Sequence, residues 1–222
     1  MLKRMLNEPA LLLTGRNRKL IIADLHLGIL RFSDNSLIEK ASQLAEKADE
    51  VILAGDVKHD IGMRARETRE VEKLIEGLES SGISTSDITV LKGNHDGGID
   101  SVIRTEGTRG IRLDGLGIFH GHAIPDDDVL DASTLIFGHA HPAVLIKDEV
   151  GSFKERVWLE GKMDMDGEEK ELIVLPAFNE VCASTSVNLE RPAGVFFRRW
   201  DYHQAEATLL DGTLLGEIHF LS

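Results

Sequence analysis

Two short apolar segments, KLIIADLH at residues 19–26 and EVILAGDVKH at residues 50–59, each end in polar side chains that can bind a metal ion. Four or five apolar residues bounded by turn-forming or charged residues are typical of buried strands. We therefore predict strands at Lys19–Ala23 and Glu50–Ala54. In an open α/β sheet, ligands bind in the crevice beyond the carboxyl ends of the strands. The polar residues that follow these two strands are thus expected to face one crevice.

The segments on either side extend this pattern to alternating strands and helices. Leu11–Thr14 is predicted to form a hairpin with the strand at Lys19–Ala23. Apolar residues at helical spacing predict one helix from Asn35 or Ser36 through Ala48 and another at Glu67–Glu79. Further strands are predicted at Ile88–Leu91, Gly110–Leu113, Leu116–Phe119, Leu135–Phe137, Ala143–Lys147, Arg156–Leu159, Leu172–Leu175, Ala207–Leu210 and Leu214–His219. The polar, charged residues Gly161–Lys170 are predicted to form a loop.

This order of elements predicts an α/β (α+β) fold in which helices cover the outer faces of β-sheets. A length of 222 residues fits a single domain over residues 1–222. The net charge of −13 disfavours broad electrostatic binding to nucleic acid. No apolar run approaches the roughly 18 residues of a membrane span, so no membrane association is expected. The single cysteine, Cys182, excludes an internal disulfide and fits a reducing, cytoplasmic location.

Seven of the nine histidines lie in or beside five short motifs, each at or after the end of a predicted strand. The motifs are Asp24-Leu25-His26, Gly55-Asp56-Val57-Lys58-His59, Gly93-Asn94-His95-Asp96, His120-Gly121-His122 and Gly138-His139-Ala140-His141. Imidazole, carboxylate and carboxamide donors suit Mn²⁺, Zn²⁺, Fe or Ni²⁺ better than Mg²⁺ or Ca²⁺. Each motif alone is weak, because a strand-ending turn explains most of them. Together, and in this order, they predict a metal site at the strand ends.

The five motifs resemble those of calcineurin-like metallophosphoesterases: D-x-H, G-D-x-x-H/D, G-N-H-D/E, G-H and G-H-x-H. The resemblance extends over nearly the whole chain. ALLLTGRNRKLIIADLHLG at residues 10–28 and ELIVLPAFNEVCASTSVN at residues 171–188 look like the largely archaeal ICC-like phosphoesterase group. That group is similar to a bacterial phosphoesterase encoded beside a DNA ligase and a helicase. The resemblance implies a four-layer αββα sandwich of two mixed sheets flanked by helices, with metals at the strand ends.

The resemblance also implies a ligand set for two metal ions. The first ion would be held by Asp24, His26 and His141. The second would be held by Asn94, His122 and His139, and Asp56 would bridge the two. His120 matches no ligand role and is expected to be a supporting or structural histidine.

Three further residues are implied to take part in the chemistry. His95 resembles the family's phosphate-contacting histidine and general acid, and Asp96 would orient nearby groups. His59 stands where the protein phosphatases of the superfamily have Asp followed by Arg, whereas its repair nucleases have His. This departure argues against a protein phosphatase and favours diester cleavage.

The predicted function is therefore hydrolysis of a phosphate ester, favouring a phosphodiester, by in-line attack of a hydroxide that bridges two divalent transition metals. Mn²⁺ is the favoured metal, with Zn, Fe or Ni as alternatives, and the substrate class includes nucleotides and nucleic acid. One alternative is a DNA or RNA endonuclease with DNA-repair partners. Another is a non-catalytic scaffold of the same fold, like a retromer subunit, which the intact ligand set opposes. Lys58 is expected either to contact phosphate or to be solvated, and Cys182 to be inert.

Overall fold

A computed structural model describes residues 1–30, 34–147, 149 and 151–221 and shows a mixed α/β fold with two β-sheets. The first sheet contains, in spatial order, β1 (Leu2–Arg4), β2 (Leu11–Leu13), β3 (Lys19–Ile22), β4 (Glu50–Leu53) and β5 (Ile88–Val90). β1, β2 and β3 are antiparallel neighbours, which confirms the predicted hairpin and adds β1 to it. β3, β4 and β5 are parallel, so their carboxyl ends lie at one edge of the sheet.

The second sheet is larger and has the spatial order β12-β9-β10-β11-β8-β7-β6, with β13 and β14 attached through β10. Its strands are β6 (Ile111–Leu113), β7 (Leu116–Phe119), β8 (Thr134–Phe137), β9 (Pro142–Lys147), β10 (Ser152–Met165), β11 (Glu168–Val174), β12 (Thr185–Ser186), β13 (Glu206–Leu209) and β14 (Leu214–Glu217). β7, β8 and β11 are parallel neighbours. Both sheets therefore have parallel strands whose carboxyl ends can carry a shared site.

The layers follow from the alternation of side chains along the strands. In β3, Leu20 and Ile22 belong to the core under the helices α1 (Asn35–Ala45) and α2 (Ala65–Ser80). Ile21 belongs instead to the core between the two sheets, together with Trp158 of β10. Both faces of β3 are thus buried, because successive side chains point to opposite faces of a strand.

The outer face of the second sheet is covered by aromatic side chains rather than by long helices. The helix α3 (Asp127–Leu130) has only four residues, and the rest of this layer includes the 3₁₀ turns Phe196–Arg198 and Tyr202–Gln204. Phe197 and Trp200 are buried there against the sheet. The predicted fold class is confirmed, and its fourth layer is thin.

The prediction of a loop at Gly161–Lys170 is wrong. β10 and β11 form an antiparallel hairpin that extends to Met165 and Glu168, with the turn at Asp166-Gly167. Backbone pairing continues along the whole ladder, and an exposed ion pair joins Lys162 Nζ to Glu169 Oε1 at 2.6 Å. Met163 and Met165 alternate with charged residues along this extension and pack against the core of the second sheet, so the high charge of the segment concealed a strand pattern.

The helix boundaries also differ from the prediction. α1 begins after Asp34 and ends at Ala45, three residues before the predicted end at Ala48. Asp34 gives no side-chain cap to the helix, because its carboxylate accepts a hydrogen bond from the Gly28 N–H at 2.6 Å. Among the described residues, no helix combines the length and apolar character needed to cross a bilayer.

Candidate metal centre

Most of the predicted ligands lie in loops that follow the carboxyl ends of four strands, two from each sheet. Asp24 and His26 follow β3, and Asp56 follows β4, in the loops that leave the first sheet. His120 follows β7 directly, and His139 follows β8 after one glycine. The crevice predicted from the two apolar segments is therefore formed jointly by the two sheets.

The backbone at this crevice is in an uncommon conformation. Five side chains with ligand atoms have φ in the left-handed region: Asp24 (59°), His26 (45°), Asp56 (50°), His139 (69°) and His141 (44°). A residue other than glycine in this region costs on the order of 1–3 kcal/mol and persists only where its surroundings enforce it. Such conformations are concentrated at functional sites, so this strain supports a functional role for the crevice.

Hydrogen bonds between the loops enforce this geometry. The N–H of Asp24 donates to the Gly55 carbonyl at 3.0 Å, and the N–H of His26 donates to the Asp56 carbonyl at 2.9 Å. The N–H of His139 donates to Asp24 Oδ2 at 2.9 Å, which links the second sheet to the first. A Cβ at Gly93 would approach Asp56 closer than 3.0 Å, so the loop after β5 requires glycine there.

The first cluster contains Asp24, His26 and His141. His141 Nδ1 donates to the Ala183 carbonyl at 2.8 Å, so in the neutral ring the other nitrogen, Nε2, carries a lone pair. That Nε2 lies 3.1 Å from Asp24 Oδ1. Asp24 is fully buried, and its Oδ1 has no aligned hydrogen-bond donor. Two lone pairs at this distance require a proton or a metal ion between them.

The second cluster is built in the same way around Asp56. His120 Nδ1 donates to the Ala54 carbonyl at 3.0 Å, and His120 Nε2 lies 3.2 Å from Asp56 Oδ2. The same Oδ2 lies 3.5 Å from His26 Nε2. Ligand atoms of Asp56, His120 and His139 lie within 4.8 Å of one another. Asp56 Oδ2 thus stands between the two clusters, which is where a bridging ligand would be.

The pKa values of the buried carboxylates and histidines are those expected of a site that binds a cation. Burial opposes ionisation of Asp24 and Asp56, yet the neighbouring histidines hold the pKa of each carboxyl below its usual value. Burial lowers the pKa of His26 and of His139 to about 4, so both rings are neutral at pH 7. Burial alone would lower the pKa of His120 too, but Asp56 and Asp24 raise it to about 9. In metal-free protein a proton on His120 therefore takes the place of a cation.

Protonation of His120 should make the stability of the metal-free protein depend on pH. The pKa of His120 is raised from 6.5 to about 9, so its stabilising contribution is complete below pH 6.5 and is lost as the pH rises through 9. A shift of this size corresponds to on the order of 3 kcal/mol. We expect the melting temperature of chelator-treated protein to fall over this interval and divalent metal to abolish the fall. A flat profile without metal, or an unchanged profile in His120→Gln, would contradict this assignment.

His120 is the ligand-type residue to which motif comparison assigned no role. It is 1% exposed, and its ring faces Asp56. Ile118 of β7 lies in the core between the sheets, and both His120 and His122 continue its alternation, so the sequence pattern does not separate the two histidines. His122 lies farther out, with its ring centroid 5.2 Å from that of His120 and 6.1 Å from that of His139. Asn94 is exposed and lies in the loop after β5.

The two candidate catalytic histidines lie beside the first cluster. His59 Nδ1 is 3.4 Å from His26 Nδ1, and the His59 and His95 rings stack with centroids 5.5 Å apart. His95 Nδ1 donates to the His59 carbonyl, since a carbonyl oxygen can only accept. The His95 N–H donates to Asp56 Oδ1 at 2.8 Å. Asp56 therefore places His95 at the edge of the proposed metal position.

Asp96 is buried, and its carboxylate accepts hydrogen bonds from backbone N–H groups of the loops after β4 and β5. One carboxylate oxygen accepts from the N–H groups of Val57 and Lys58 at 2.9 and 3.2 Å, and the other accepts from Gly93 at 2.9 Å. Burial raises the pKa of Asp96 above its usual value, and these hydrogen bonds partly offset the rise. Asp96 is fully buried, so the structure places it as a positioning residue that joins the loops after β4 and β5.

Both interpretations of Lys58 are wrong. The side chain is 0% exposed, so it is not solvated. Its Nζ donates to the carbonyl oxygens of Asp60, Ile61, Gly62 and His95 at 2.5–3.3 Å. These four carbonyl oxygens surround the three N–H donors of the ammonium group, which therefore is not directed at a substrate phosphate. The motif alone does not reveal that Lys58 donates hydrogen bonds to buried carbonyl oxygens, because those carbonyls converge only in the folded loops.

Comparisons with known proteins give distant likenesses of the fold. No known protein-family model matches the chain, and no curated protein sequence matches it. Among solved structures, a single mutant of Vps29 from Entamoeba histolytica aligns with a TM-score of 0.38 and 16% identity, covering 76% of this chain and 78% of that one. A conserved uncharacterized protein from Streptococcus pneumoniae, described as a predicted phosphoesterase, aligns with a TM-score of 0.33 and 18% identity, covering 72% and 99%. The functional assignment rests on the side-chain geometry.

Proposed function

We propose that this chain is a metal-dependent phosphoesterase of the calcineurin-like type that hydrolyses phosphodiesters. One observation carries the proposal: Asp56 Oδ2 lies 3.2 Å from His120 Nε2 and 3.5 Å from His26 Nε2, and neither nitrogen has a hydrogen-bond partner. A carboxylate oxygen placed between two buried, unpartnered imidazole nitrogens fits a ligand shared by two cations. Imidazole and carboxylate donors suit divalent transition metals, with Mn²⁺ the predicted ion and Zn, Fe or Ni as alternatives.

The proposed ligand set differs from the motif comparison at one position. Asp24, His26 and His141 would hold the first ion, and Asp56 would be shared. His120 and His139 would hold the second ion, with Asn94 completing it from the exposed side. His120 replaces His122 in this proposal because its Nε2 faces Asp56 and its Nδ1 is fixed by a backbone carbonyl. An outer hydrogen bond of this kind orients the imidazole of most metal-binding histidines.

The remaining residues around the crevice bind and orient the substrate. Bound metal ions would polarise the phosphoryl oxygens and lower the pKa of a water molecule to supply the nucleophile. His95, whose Nδ1–H donates to the His59 carbonyl, would donate a proton from Nε2 to the departing oxygen when both ring nitrogens carry a proton. General acid catalysis of this kind contributes about 10²–10⁴-fold to the rate.

Among the described residues, Lys58 and His59 of the second motif bear on the substrate class. A monoester dianion benefits from a cationic clamp on its terminal oxygens. Lys58, the nearest lysine in the motif, is occupied by four carbonyls. His59 is a compact imidazole donor and leaves room for the second substituent of a diester. These two residues together favour a diester over a monoester.

Steady-state kinetics with Mn²⁺ test the substrate class. We expect a higher kcat/KM for bis-p-nitrophenyl phosphate than for p-nitrophenyl phosphate. His59→Ala should reduce kcat/KM more for the diester than for the monoester, whereas the exposed His203→Ala should change neither. A clear monoester preference in the wild-type protein would refute the assignment to diesters.

Metal analysis tests the centre itself. After chelation and reconstitution we expect about two divalent ions per chain, because the two clusters share one carboxylate. A stoichiometry near zero would exclude the metal centre. Two bound ions without hydrolysis of monoesters, cyclic diesters or linear oligonucleotides would instead support a non-catalytic scaffold.

A further inference from the structure

The only thiol of the chain lies beside the first metal position. One ligand atom each from Cys182, His26 and His141 lie within 4.8 Å of one another. Cys182 is separated from His26 by more than 150 residues, so this proximity is created by the tertiary structure. The motifs assigned Cys182 no role, since it has no basic neighbour in sequence.

The segment that carries Cys182 is fixed to the loop that carries Asp24. The N–H of Asn179 donates to the Asp24 carbonyl at 3.2 Å, and Asn179 Nδ2 donates to the Leu25 carbonyl at 2.9 Å. The Cys182 N–H in turn donates to the Asn179 carbonyl at 3.2 Å. Asn179 thus sets the position of Cys182 relative to the first cluster.

The same segment is fixed on its other side to the loop that carries His141. The N–H of Thr185 donates to the His141 carbonyl at 3.0 Å, and His141 Nδ1 donates to the Ala183 carbonyl at 2.8 Å. Cys182 therefore lies between two anchored points, each bonded to a loop that bears a proposed ligand. The same hydrogen bonds that hold the ligand-bearing loops together therefore also fix the position of Cys182.

A separate observation points to a cation site in the same cluster. Asp24 Oδ1 and His26 Nε2 are buried and have no hydrogen-bond partner. They lie 4.0 Å apart, on the two residues that flank Leu25. Unpaired buried groups of this kind are costly unless a ligand satisfies them.

We propose that Cys182 is a further ligand of the first metal position, and that its thiolate makes this position selective for a thiophilic ion such as Zn²⁺ or Co²⁺. This inference rests on the proposed metal centre. Soft thiolate ligands favour such ions, whereas carboxylate and imidazole donors also accept Mn²⁺. The second position, around Asp56, His120 and His139, has no thiol. The two positions therefore differ in selectivity, and the centre can hold two different metals.

Ligation replaces the thiol proton by the metal ion. Without metal, burial and the carboxylates of Asp24 and Asp56 raise the pKa of the Cys182 thiol to about 12. A bound divalent ion would lower the pKa of this thiol, because a thiol that coordinates a metal loses its proton. The proton leaves to solvent, and no oxidant or reductant is needed.

Cobalt substitution tests the proposal. Titration of metal-free protein with Co²⁺ should give a sulfur-to-cobalt charge-transfer band in the near ultraviolet, together with the visible ligand-field bands. Because the chain has one cysteine, this band reports Cys182 alone. Cys182→Ser and Cys182→Ala should lose the charge-transfer band and keep the ligand-field bands, and Ser184→Ala should keep both.

Competition between metals provides the second measurement. Removal of an outer partner of a metal ligand costs about 10–100-fold in affinity, so loss of a direct ligand should weaken Zn²⁺ binding at least as much. Mn²⁺ affinity should change less than Zn²⁺ affinity in Cys182→Ser. Ligand-field bands from bound Co²⁺ without a charge-transfer band in the wild-type protein would overturn the role of Cys182 and leave the proposed function intact. Failure to bind Co²⁺ at all would overturn both.

Discussion

Asp56→Asn is expected to abolish the paired metal centre and nearly all activity. Asp56 Oδ2 faces His120 and His26 at once, at 3.2 and 3.5 Å, whereas Asp24 Oδ1 lies 3.9 Å from His120 and 4.0 Å from His26. Replacing the carboxylate by an amide removes the negative charge shared by two cations and places an N–H₂ or a neutral oxygen between them. Because metals contribute several kcal/mol to transition-state stabilisation, kcat/KM should fall by about 10³-fold or more.

The measurement pairs metal analysis with kinetics after reconstitution. Asp60→Asn is the matched control, because Asp60 is an exposed carboxylate four residues farther along the same loop. It should retain about two ions per chain and near wild-type turnover. If Asp56→Asn also retained two ions and stayed within tenfold of wild-type activity, Asp56 would not be the shared ligand.

His95→Ala is expected to lower turnover while leaving the metals in place. The His95 side chain contacts the His59 carbonyl through Nδ1, and only its main-chain N–H contacts Asp56, so the substitution keeps the Asp56 hydrogen bond. Loss of a general acid should cost about 10²–10⁴-fold in kcat. The defect should be larger for an alkyl leaving group than for p-nitrophenolate, which departs without a proton.

Two readouts separate this role from a structural one. Metal content should equal that of the wild-type protein, and the ratio of the kcat defects on the two leaving groups should exceed about tenfold. His203→Ala, an exposed histidine in a 3₁₀ turn far along the chain, serves as the control. An equal defect on both leaving groups, or loss of metal, would assign His95 to positioning or ligation instead.

The sequence by itself determined the elements whose signal is local. The apolar runs at Lys19–Ile22 and Glu50–Leu53 are continuous because both faces of these strands are buried, one under helices and one against the second sheet. Polar residues that follow such strands directly, such as Asp24 and Asp56, must lie at the sheet edge. The position of the crevice therefore follows from chain order alone.

Only the tertiary structure decided the roles that depend on distant loops. Motif spacing cannot distinguish His120 from His122, because the choice depends on which ring faces Asp56 across the gap between the sheets. Lys58 is buried by carbonyls from its own loop and from His95, a convergence that no motif encodes. Cys182 meets His26 and His141 because backbone hydrogen bonds hold three distant loops together. Ligand geometry is fixed by contacts between loops, and these form only when the two sheets pack face to face.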